Sequence, residues 1–142
     1  MLSRTADNLY WLARYVERAD FLARIIKATQ RLATLPASYS GTGTEWESAL
    51  ESSGAAQGFQ ATRGTAEEAN VVDYLTFAPD NPSSIRNCIK FARANARAVR
   101  TALTAEMWEA INGAWIKQGG SRQATTGRAA TIARSSRVFS NS

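Results

Sequence analysis

Large apolar residues recur along the first 35 positions at helical spacing, with polar residues set between them in fixed places. At about 100° per residue, Leu9, Leu12, Val16, Ala19 and Ala23 share one stripe, with Leu22 and Ile26 at its margin. The pattern predicts one long helix, capped by Ser3 or Thr5, with Asp7 near the positive end of its dipole. Leu35-Pro36 ends it, because the residue before proline disfavours the helical region. Tyr10 and Phe21 fall on the far side. Two apolar faces imply neighbours on two sides, so this helix is expected inside a bundle.

Ala37 to Thr44 reads as a loop, and Glu45 to Ser53 as a shorter helix carrying Trp46, Ala49 and Leu50. Gly54 and Gly58 leave Ala55 to Arg63 open. Thr65-Ala66-Glu67-Glu68 matches a capping box and predicts a helix through Val71, Tyr74 and Leu75, closed by Pro79. Asn81-Pro82 then predicts a helix from Pro82 to Leu103, with Asn81 as N-cap. Its apolar stripe is Ile85, Cys88, Ile89, Ala92, Ala96, Val99 and Leu103. Thr104 caps a last helix with Met107, Trp108, Ile111 and Trp115. No strand alternation of useful length and no repeat is visible. The expected fold is all-α, a bundle of about four to five helices.

From Gly119 the chain turns to Ser, Thr, Ala, Gly and Arg. The expected division is a helical domain over 1–118 and a basic tail over 119–142, too poor in apolar groups to order itself. A foreign or frame-shifted end, a cloning remnant and a basic arm are the readings open for the tail. Its charge changes how the pI of about 9.9 is read. Residues 1–118 hold 13 Lys/Arg against all 12 acids, whereas the tail holds four Arg and no acid. A nearly neutral body disfavours nucleic-acid binding except through the tail. A single cysteine forbids an internal disulfide, and the lack of histidine excludes Ser-His, Cys-His and imidazole-metal chemistry. With no apolar stretch of membrane-span length and no signal peptide, the expected compartment is the cytoplasm. Neither a metal nor a cofactor is expected: no ligand set or phosphate-cradling loop appears, and Gly41-Thr42-Gly43 reads as a turn.

The foremost candidates for chemistry are Glu17 and Arg18. Adjacent residues point about 100° apart on a helix, so each is expected to meet a different neighbouring helix. Two readings stay open: an interhelical salt-bridge network, or a polar pocket where Arg18 holds a carboxylate or phosphate and Glu17 is acid or base. Asn8 and Arg14 stand beside that pair as candidate binding residues. Arg93, Arg97 and Arg100, with Arg86 and Lys90 nearby, form one positive ridge: a solvated face, or a surface for an acidic partner or for the missing half of the domain. Glu17 and Asp20 are its candidate internal partners, and Asn95 within it bonds either a backbone carbonyl or a ligand. Trp11, Trp46 and Trp108 are expected as core anchors and Cys88 as an inert buried thiol, while Trp115 is expected at exposed surface.

Met1 to Trp11 and Tyr15-Val16-Glu17-Arg18-Ala19, followed by Asp80-Asn81-Pro82-Ser83-Ser84-Ile85 and Arg93 to Arg100, resemble three stretches of the bacterial alpha-E domain family. That family is all-helical and named for a Glu-Arg pair, matched here by Glu17-Arg18. The resemblance runs to about Trp115 and implies the front half of a longer domain. It also implies a scaffold or interaction role beside ATP-grasp ligase-type and transglutaminase-like proteins of peptide synthesis or modification. Self-association through exposed helix faces is a further expectation. The alternatives are an enzyme component using Glu17-Arg18 in amide or acyl-phosphate chemistry, and a basic-tailed nucleic-acid binder.

Overall fold

The computed structural model describes residues 2–36 and 45–119, all of them in helices, turns and short connections. Helix α1 spans Leu2–Ala33, α2 Glu45–Ser52, α3 Ala56–Thr62, α4 Glu68–Thr76 and α5 Ile85–Ala98. A 3-10 turn follows at Arg100–Ala102, and α6 runs over 105–119. The molecule is all-α, as the periodicity predicts. The expected loop over 37–44 and the tail over 120–142 lie outside the described residues.

The long helix packs chiefly on α5, and beyond it on α2 and α4. These partners share one side of α1, which sets its buried arc at Leu12, Leu22, Ile26 and Thr29. That arc is rotated from the expected stripe: Leu22 and Ile26 are central, while Val16 is 48 % exposed and Ala23 lies at the surface. Thr29 is accommodated because its hydroxyl donates to the Ile25 carbonyl at 2.8 Å. Tyr10 and Phe21 are more than half exposed, so the second apolar face of α1 is open and not enclosed as expected.

The glycines that obscured residues 55–63 are what shape them. Gly54, at φ +72°, ends α2: its amide donates to Glu51 and that of Ala55 to Leu50, the paired bonds of a left-handed helix stop. Gly58 allows a close approach, because a Cβ there would collide with the Tyr74 hydroxyl. That contact lets α3 bring Phe59 edge-on against Tyr74, with ring centroids 5.4 Å apart.

Three helix starts differ from expectation. Helix α1 already runs from Leu2, so the expected caps Ser3 and Thr5 lie inside it. The Thr65 capping box does not form, and α4 starts at Glu68 after an extended Glu67 without a side-chain cap. Asn81 does not cap α5: it is buried, its amide donating to the Tyr74 carbonyl at 3.1 Å and its Oδ1 accepting from the Ser83 amide at 3.1 Å. This turn carries the chain to Ser84, whose hydroxyl accepts from the Asn87 amide at 3.2 Å and is the true N-cap. At the other end α5 stops at Ala98, short of the expected Leu103. Thr104 caps α6 as predicted, accepting from the Met107 amide at 3.3 Å.

Two cores result. The larger unites Leu22 and Ile26 with Trp46, Leu50, Phe59, Val71, Tyr74, Leu75 and Ile85. The smaller, at the opposite end of the α1–α5 pair, has only Leu12, Ala92 and Ala96 fully buried, with Leu9, Tyr15, Trp108 and Ile111 around them.

Candidate functional site

Alanines at 92 and 96 let α5 lie close on α1, and this seam divides the candidate residues between two flanks. On the first flank Trp11, Tyr15 and Phe91 form an aromatic run, with centroids 5.9 and 5.3 Å apart. Arg18 lies over the Tyr15 ring at 6.0 Å. Its charge reaches Cys88, whose thiol is pushed up mainly by burial and drawn back by that guanidinium. Cys88 is the buried thiol expected. Asn95, beside Phe91, donates to that residue's carbonyl at 2.8 Å, the backbone bond that was one of its two readings. Trp11, expected in the core, is 42 % exposed because α1 has no neighbour beyond this flank among the described residues.

Glu17 belongs to neither flank. Its carboxylate, 71 % exposed, meets only Arg14 of its own helix among the described residues, at 3.8 Å. Arg18 is exposed too, so the expectation that both side chains sit at buried edges against different helices is not met. The cause is the rotated arc of α1, which turns position 17 outward and leaves position 18 at the border. Asp20 pairs with Arg24 at 2.9 Å, again within α1, so neither proposed acid reaches the positive ridge. Asn8 donates to the Arg4 carbonyl at 2.9 Å.

The ridge itself lies on the second flank, where α6 meets α5. It resolves into two rows, each with members seven residues apart. Arg86, Arg93 and Arg100 form an inner row facing the α6 stripe Trp115, Asn112 and Trp108, taken in antiparallel order. Arg86 covers Trp115 at 4.7 Å, Arg93 Nε donates to Asn112 Oδ1 at 2.7 Å, and Arg100 covers Trp108 at 5.3 Å. Arg93 also lies 6.0 Å from the Trp115 centroid. Lys90 and Arg97 form the outer row, exposed and without an ion pair among the described residues. Between the rows, Lys90, Arg93, Ala94, Arg97 and Trp115 enclose a pocket of about 150 Å³.

Sequence reasoning found the cations and missed their partners. Arginines at seven-residue spacing on α5, and Trp108, Asn112 and Trp115 at four and three on α6, are complementary signals. They become legible as a ladder only when both helices are aligned antiparallel.

Other concavities occur among the described residues. An acidic cleft of about 420 Å³ lies between α2, α3 and the approach to α4, with Glu47, Glu51 and Glu67 on its rim. Val16, Ala19, Ile89, Ala92 and Ile111 line an apolar groove of about 250 Å³ where α1, α5 and α6 meet. Ser3, Asn8 and Val99 line a polar one near the start of α1. No group of acidic and Cys side chains suited to a metal occurs among the described residues. Nor is any helix among them long and apolar enough to cross a membrane.

This geometry defines an all-helical domain whose polar groups lie on the flanks of one helix pair and not in a closed catalytic cavity. The Alpha-E family model, described as a predicted alpha-helical domain with a conserved ER motif, matches residues 1–141, and the chain belongs to that family. Glu17-Arg18 is the sole Glu-Arg dipeptide in the sequence. The match runs past Trp115 and through the tail that composition set apart. No curated protein and no solved structure matches the chain.

Proposed function

We propose that the chain is a helical scaffold or interaction domain, an accessory partner of an ATP-grasp ligase-type system of peptide synthesis or modification. The supporting observation is the uncovered face of α1. Tyr10, Phe21 and Leu32 are 57 %, 53 % and 49 % exposed and stand eleven residues apart. Eleven residues make about three turns, so the three groups lie in line along roughly 33 Å of helix. An exposed apolar row of this kind marks a contact surface or leads to self-association. The gene-neighbour chemistry that names the partner comes from the alpha-E resemblance; the cytoplasmic placement is the expectation drawn from composition.

The test is ATP turnover by the full chain, alone and mixed with the ATP-grasp-type protein encoded beside an alpha-E domain, with transglutaminase-like proteins as a second bait. Turnover only in the mixture, reduced by Phe21→Ser, is expected. Turnover by the isolated chain that is lost in Glu17→Gln would replace this reading with the enzyme alternative.

A further inference from the structure

The pocket between the two cationic rows is built, not incidental. Its wall is the Trp115 ring, fixed by Arg86 on one side, and its central cation is Arg93, fixed through Nε by Asn112. Anchoring at Nε leaves both terminal amino groups of the Arg93 fork without an acceptor among the described residues. A guanidinium so held loses little freedom when it grips a planar oxyanion with two parallel bonds. Lys90 and Arg97 stand at the mouth. Among the described residues no acid comes within ion-pair distance of any of the three, so none of these residues relieves their mutual repulsion. A further donor is idle nearby: Nη1 of Arg86 is buried and has no hydrogen-bond partner among the described residues.

Size and surroundings narrow the occupant. The pocket, about 150 Å³ and open on one side, has room for one carboxylate head. Arg86 lies over Trp115 and Arg100 over Trp108, which reduces the ring surface left for stacked bases. The ridge nevertheless continues beyond the pocket, from Arg86 on α5 to Arg100 in the 3-10 turn that follows it. A lone small anion would use one part of it; a chain of acids would use the whole.

We propose that the pocket formed by Lys90, Arg93, Arg97 and Trp115 recognises a carboxylate of an acidic peptide, whose neighbouring acids lie along the rest of the α5 ridge. The inference rests on the interaction-domain reading and gives it a ligand class. It is read without any ATP-grasp protein, so either can fail while the other stands.

The experiment is fluorescence anisotropy of the full chain at low salt, with a fluorescein-labelled peptide of alternating Glu and Ala. The Gln-for-Glu peptide, a labelled oligothymidylate and inorganic phosphate are the comparison ligands. Saturable binding of the Glu peptide is expected, with none of the Gln peptide. Arg93→Gln and Arg97→Gln should each weaken it roughly tenfold, the equivalent of one charge-assisted hydrogen bond. Arg31→Gln, on exposed α1 surface, should leave it unchanged. Arg97 makes no hydrogen bond or ion pair among the described residues, so its variant keeps the test valid if Arg93→Gln misfolds. Four results would overturn the proposal: equal binding of both peptides; equal losses in Arg31→Gln and Arg97→Gln; tighter binding of the oligothymidylate; or displacement by phosphate near the peptide's own concentration, which would mean a free-anion site.

Discussion

The two ends of the α1–α5 pair are built on different principles. At one end α2, α3 and α4 fold over the pair, and Phe59, Val71 and Leu75 are at most 1 % exposed. At the other, α6 is the one further helix that covers it among the described residues, over a buried set of one leucine and two alanines. Large interlocked side chains bury far more apolar area than alanines, so most of the hydrophobic stabilisation sits at the first end. What the second end lacks in apolar burial it has in polar and aromatic groups: the Arg–Trp ladder, the pocket beside it and the aromatic run with Arg18. The first end carries most of the stability, and the second carries the cationic pocket on which the proposed peptide recognition rests.

Substitutions test this division. Phe59→Ala should cost about 3–5 kcal/mol and Leu12→Ala, in the thin core, nearer ~2 kcal/mol, both read from urea midpoints. Similar losses at the two positions would remove the contrast. Gly58→Ala should cost about 1–3 kcal/mol, because the Tyr74 hydroxyl must move. Much of that loss should disappear when Tyr74→Phe is added, since the hydroxyl is the atom in the way. Trp115→Ala, which removes the ring under Arg86, should cost about 1–2 kcal/mol and loosen α6 before the rest. Glu17→Gln should change stability by less than about 0.5 kcal/mol, as for other exposed pairs within a helix.

The buried thiol offers a pH probe of the α1–α5 seam. Burial holds the Cys88 pKa above its usual 9.0, so the protonated form is favoured in the folded state. Its contribution to stability is therefore fully present below pH 9.0 and is lost as pH rises through the folded value. Cys88→Ala should flatten that alkaline decline. In the wild-type chain, alkylation of Cys88 at neutral pH should follow unfolding and not precede it.

How much of this was legible in the sequence depended on whether the signal was local. The helical class, the α1 span, the Thr104 cap and the buried Cys88 follow from periodicity and capping chemistry. Asn81-Pro82 misled because the Asn81 side chain serves Tyr74 and Ser83, leaving the cap to Ser84 three residues later. Gly58 read as a helix breaker, yet its missing side chain is what admits Tyr74. The burial of α1 was misjudged by less than one residue step, enough to turn Glu17 from a buried edge into solvent. Arg93 and Arg97 were named from sequence, but Trp115 and Asn112 joined them only through the antiparallel placement of α6, which no local pattern contains.

Native-state hydrogen exchange measures the contrast between the two ends directly. The amides of α4 and of the first half of α5 should exchange only through global unfolding, while those of α6 should exchange through a smaller opening of lower free energy. Protection of α6 equal to that of α4 would contradict the account, since it would show the Arg–Trp end to be as firmly fixed as the apolar one.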